Sequence, residues 1–132
     1  MGVFRLALAL VLANVSTATA QTTELPTYAY DAIAEFTIAT TAVSTCDRAR
    51  VKDRNLQSAM AALMGRLAAD GLDPTASIQH FETEKGQAQI ALREANLRQR
   101  HGVAPTGADA LCDAIRAELK TNRALAKLLR LR

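Results

Sequence analysis

The sequence predicts an all-α fold: a compact bundle of four to five helices closed by one disulfide. Three observations lead there. Ala and Leu abound while the 132 residues hold no Trp, three Phe, two Tyr and three Pro, a composition that favours helix over strand. Apolar residues recur at three- and four-residue intervals, with no sustained alternation. Two cysteines, Cys46 and Cys112, stand in a chain that opens on an export signal.

That opening, "MGVFRLALALVLANVSTATA" at residues 1–20, has a basic start at Arg5, an apolar core from Leu6 to Ala13 and an A-x-A site at Ala18 to Ala20. It reads as a secretory signal peptide cut before Gln21. The apolar run falls short of the about 20 residues that span a bilayer, so no transmembrane segment is expected in the mature chain. Residues 21–132 are then a single helical domain, long enough for one modest core, and the expected address is periplasmic or secreted.

The first helix is expected after Leu25 and Pro26, with Thr27 as N-cap and Phe36, Ala39, Val43 and Cys46 on its buried face. A second carries Leu56, Met60, Leu63 and Leu67 and stops at "DGLDP", where Gly71 suits the residue after a helix, Asp73 a new N-cap and Pro74 a first helical position. Residues 74–101 read as helical with a break near Thr83 to Gly86, and Gly102 ends them. Thr106, with Asp109 three residues on, is the expected cap of a last helix that carries Leu111, Ile115, Leu119, Ala126 and Leu129 nearly to the C-terminus. Loops are short, so successive helices should be antiparallel neighbours, and Ala59, Ala61 and Ala62 should let them approach closely.

The cysteines occur as "STCDRAR" and "ALCDAIR". A redox pair would usually be C-x-x-C, and a metal site needs about four ligands at suitable spacing; neither pattern is present, so a structural bridge is the simplest reading in an exported chain. His80, Glu82 and Glu84 share a segment but are too few for a metal centre, and His101 suits the C-terminal end of a helix. No nucleophile motif, phosphate loop or cofactor motif is found, which argues against an enzyme and assigns neither cofactor nor metal.

The formal net charge is only +3, too small a bias to predict nucleic-acid binding. Charge is nonetheless segregated. Arg116, Lys120, Arg123, Lys127 and Arg130 recur at helical spacing on the expected last helix, a surface suited to an acidic protein or an anionic envelope surface. Residues 21–47 hold Glu24, Asp31, Glu35 and Asp47 and no Lys or Arg. Counting outward from a Cys46–Cys112 bridge along two antiparallel helices sets Val43 against Ile115, Glu35 level with Arg123 and Asp31 level with Lys127. Part of the stripe would then be neutralised internally, leaving Arg116, Lys120 and Arg130 more available.

The order of "TC" at Cys46, "ADGLDPTASI", "RQRHGVAP", "LCDAIRAEL" and the terminal "LAKLLRLR" resembles a family of small exported all-helical proteins of Gram-negative bacteria, catalogued as a domain of unknown function. The resemblance spans roughly residues 28–132 and implies a periplasmic address and a Cys46–Cys112 bridge, with no activity attached. Asp47 departs from it, since a proline often follows the first cysteine there. The expected function is a non-enzymatic interaction module; the alternative is a periplasmic stress chaperone or an inhibitor of the immunity-protein type.

Overall fold

The structure, a computed structural model, describes residues 24–132, so the expected signal peptide and its cleavage point lie outside the described residues. Six helices and one short ribbon follow in order: α1 (Thr27–Thr45), β1 (Ala49–Val51), α2 (Asp53–Ala69), α3 (Pro74–His80), α4 (Glu84–Arg100), α5 (Ala108–Glu118), α6 (Arg123–Leu128) and β2 (Leu129–Leu131). The helical class is as expected. The count is higher, and the two strands were not foreseen.

α1 is the central element, packed against α2, α4, α5, α6 and β1. Its buried face is built on small side chains, Ala29, Ala34, Ala39 and Ala42, with Tyr30 and Phe36 filling the spaces between neighbours. Pro26, not Thr27, occupies the N-cap position, and Thr27 is the first helical residue. Val43, expected in the seam against Ile115, is 48% exposed, because the buried stripe ends on Ala39 and Ala42 instead. Cys46 then turns extended, and Arg48 takes a left-handed φ of 60° that swings the chain into β1.

The α2–α3 corner follows its sequence signals. Gly71 has φ 76°, and the Asp73 carboxylate accepts from the N–H groups of Thr75 and Ala76 at 2.9 and 3.2 Å. The expected break falls at Thr83, whose hydroxyl accepts from Gly86 N–H at 3.1 Å and caps α4. The loop after α4 is held from within: the buried Arg98 guanidinium donates to the carbonyls of Ala104 and Gly107. Gly107, at φ 97°, rather than Thr106, is therefore the residue at which α5 begins.

The last helix does not run on to the C-terminus. α5 stops at Glu118, and Asn122 starts a new helix by accepting from Leu125 N–H at 3.0 Å. α6 ends in turn where Leu129 becomes extended, and β2 pairs antiparallel with β1 in the register Ala49↔Leu131, Arg50↔Arg130, Val51↔Leu129. Leu129 is 2% exposed, so the pairing buries an apolar residue that a continued helix would have had to place elsewhere.

The core closes on Leu67, Leu97, Ile115, Leu125 and Leu129, contributed by α2, α4, α5, α6 and β2. The Cys46–Cys112 disulfide, with 5.6 Å between Cα atoms, joins the end of α1 to the first turns of α5. From there the two segments run antiparallel, as expected. Further along, the side chain of Glu35 meets Asn122, the residue before Arg123.

Candidate functional site

Glu118 stands at an apolar-face position of α5, seven residues after Leu111 and three after Ile115, and is buried. Its carboxylate is fully engaged. Oε1 accepts from Arg100 Nη2 at 2.9 Å and Asn122 Nδ2 at 3.2 Å; Oε2 accepts from Arg100 Nε at 3.3 Å and lies 2.5 Å from His101 Nε2. Asn122 Nδ2 also donates to Glu35 Oε1 at 3.2 Å, so one amide bridges two carboxylates from different elements. Burial pushes the Glu118 carboxyl up, but His101, Arg100 and Asn122 together outweigh it and hold the group below the usual carboxylate range. Burial raises Glu35, the bond from Asn122 opposes the shift, and the charges of Asp31 and Glu118 add to it.

With both Glu118 oxygens occupied, this cluster fastens α4, α5 and the 119–122 turn to α1. The sign of its pH dependence follows from the shifts. A depressed carboxylate stabilises the fold above the unfolded range, and that stability is lost as pH falls through the folded value; Glu35, raised, acts in the opposite direction. Replacing Glu118 with Gln is expected to cost about 2 kcal/mol at pH 7, the scale of hydrogen bonds to a charged group. It should also flatten the loss of stability on acidification. Thermal melts at pH 7, 5 and 3 check both, and an unchanged acid slope would refute the assignment.

A second feature is a cleft of ≈ 660 Å³ between α1, α2 and α6. Its apolar lining includes Phe36, Ala59, Ala62 and Leu63, while Arg66 and Lys127 bring positive charge and Glu35 one carboxylate. Of the small side chains expected to draw helices together, Ala59 packs against the core, Ala61 and Ala62 are exposed, and Ala59 and Ala62 line this space. Tyr28 forms part of the wall, donating to Asp70 at 2.5 Å with the Arg66 guanidinium 3.6 Å above its ring. A cleft of this volume lies within the range of small-ligand and side-chain pockets.

The predicted basic stripe is dispersed because its helix is broken. Arg116 stays on α5 and pairs with Asp113 at 3.1 Å; Lys120 sits in the turn, Arg123 and Lys127 on α6, and Arg130 in β2. The two predicted neutralising pairs do not form. Asp31 binds Arg93 of α4 at 2.9 Å and Glu35 binds Asn122, so among the described residues Lys120, Arg123, Lys127 and Arg130 have no ion-pair partner. His80 is structural: Nε2 lies 2.9 Å from Tyr30 Oη, and the ring packs edge-on against Tyr30 and Phe81. Glu82 and Glu84 are exposed, and no group of three potential metal ligands exists among the described residues. His101 does stand at the end of α4, but its partner is Glu118.

Fold and site define a small disulfide-bonded helical protein, with a polar fastening beside its core and an apolar cleft that Glu35 shares with that fastening. Among the described residues no helix is long and apolar enough to cross a membrane. The chain belongs to a family of unknown function (DUF5333), whose model matches residues 21–130. No curated protein and no solved structure matches it significantly.

Proposed function

We propose that the protein is an exported, periplasmic binding module without enzymatic activity, and that its α1–α2–α6 cleft receives an acidic protein segment carrying apolar side chains. One observation supports this most: the cleft joins an apolar lining to Arg66 and Lys127 against a single carboxylate, Glu35, and neither cation has an ion-pair partner among the described residues. Apolar surface supplies affinity, and an excess of cations around it selects for acidic partners. The signal-like pattern of residues 1–20 supports an encounter outside the cytoplasm.

The test is capture of a periplasmic partner by the mature protein, compared with Ala62→Phe, which fills the cleft, and Lys127→Glu, which inverts its charge. Loss of the same partner from both variants, with circular dichroism unchanged, is the expected result. Equal capture by all three refutes the reading. An acid-activated chaperone is the second reading, supported by the carboxylate fastening at Glu118, which acid would release. Apolar-dye binding across the same pH series decides it: unchanged fluorescence and native circular dichroism down to about pH 3 would exclude it.

A further inference from the structure

The β1–β2 ribbon has one face turned inward. Ala49, Val51 and Leu131 pack on the core that Leu129 belongs to, so the alternation of the strands sends Arg50 and Arg130 outward, directly opposite each other. Arg48 and Arg132 lie just outside the paired residues, two positions from Arg50 and Arg130 along the chain. All four are exposed, and the same four arginines line a shallow pocket of ≈ 260 Å³.

Like charges facing each other across an antiparallel pair are destabilising. Here Arg50 and Arg130 face each other with Arg48 and Arg132 beside them, and none of the four forms an ion pair among the described residues, although Asp47 and Asp53 are close in sequence. The repulsion is held in place by its surroundings. Cys46 anchors the chain two residues before Arg48 through the disulfide. Beyond β1, Lys52 N–H donates to Leu128 C=O at 2.7 Å, and Lys52 Nζ donates to Ala126 C=O at 2.8 Å.

The Lys52–Leu128 bond continues the ladder and makes Arg50↔Arg130 a hydrogen-bonded pair, with Cα atoms about 5.5 Å apart. Arg48 and Arg132 flank that pair, and the four side chains gather around one pocket. Guanidinium forks match tetrahedral oxyanions through paired N–H donors, which a lysine cannot do. A single carboxylate would leave most of this charge unanswered, whereas a phosphomonoester brings about 1.5 to 2 negative charges and a diphosphate more.

We infer that Arg48, Arg50, Arg130 and Arg132 form a binding site for a phosphomonoester or diphosphate group. None of the four lines the α1–α2–α6 cleft, so the site stands or falls independently of the function proposed for that cleft.

The test is titration of the mature, oxidised protein with inorganic pyrophosphate by calorimetry, alongside flotation with phosphatidylcholine vesicles with and without phosphatidic acid. Saturable pyrophosphate binding that weakens with salt is expected, with at least a tenfold loss in the Arg50→Gln/Arg130→Gln double variant. The control is Lys120→Gln/Arg123→Gln, which removes the same charge elsewhere and should change affinity less than twofold. Binding to pyrophosphate alone identifies a soluble phosphorylated ligand; added binding to phosphatidic acid vesicles, lost in the same arginine variant, identifies a lipid headgroup. A second readout covers folding: relief of the facing charges should leave the double variant's melting temperature equal to or above that of the native protein. Absence of binding to both probes, or equal loss in the lysine-arginine control, overturns the inference.

Discussion

Replacing Cys46 with serine is expected to lower the melting temperature by about 15 °C. The bridge joins residues 66 apart in sequence. In the chain-entropy account, closing a loop of that length removes about 4 kcal/mol of freedom from the unfolded state, and in a domain of about 100 residues each kcal/mol moves the midpoint by about 4 °C. Cys46 and Cys112 are also buried, so the variant leaves a polar hydroxyl and a free thiol where a dry bridge stood. Calorimetry of the oxidised protein and the variant measures the difference. Reductant should bring the native protein down towards the variant's midpoint and leave the variant unchanged. A shift under about 3 °C would mean that helix packing alone holds α1 to α5.

Gly86→Ala should be nearly as damaging, for a reason that composition does not reveal. A Cβ at residue 86 would overlap the carbonyl oxygen of His80 and come within 2.7 Å of the Cα of Phe81. Both are backbone atoms, so no side-chain rotation relieves the contact; the α3–α4 junction has to open. Phe81, 5% exposed and edge-on to Tyr30, would be drawn out of its packing. We expect a loss of about 3 kcal/mol, the upper range for overpacking. The same change at Gly65, in the exposed interior of α2 with no atom within 4 Å of the added methyl, should instead stabilise by about 0.5 to 1 kcal/mol through helix propensity. Urea denaturation of the two variants should show opposite signs.

What was legible in the sequence was local. Gly71, Asp73 and Pro74 mark their corner because cap chemistry acts over a few residues, and the Thr83 break shows for the same reason. The cysteine pairing was legible because there were only two. The ribbon was not, since three residues are too few to show alternation and the pairing of 49–51 with 129–131 is decided in three dimensions. Residues 119–132 look helical by propensity; Asn122 and the extended turn at Leu129 divide them, and a stripe keeps its phase only while the helix is unbroken. Asp31 found Arg93 rather than Lys127 because α4 also packs along α1, a neighbour that counting from the cysteines leaves out. Glu118 had a signal of its own, a carboxylate in step with Leu111 and Ile115.

The central position of α1 also constrains the order in which the molecule can be made. Most of its contacts lie with α4, α5 and α6, and β1 finds its partner only in residues 129–131. A chain emerging N-terminus first therefore exposes its most heavily packed helix long before most of what covers it is present. α2 and α3, which touch each other, have a local partner much earlier. Cys46 remains a thiol until Cys112 has followed it out, 66 residues later. Much of the core thus closes late, with long-range closure preceding its reward, and until then the nascent protein is a chain to be kept from aggregating.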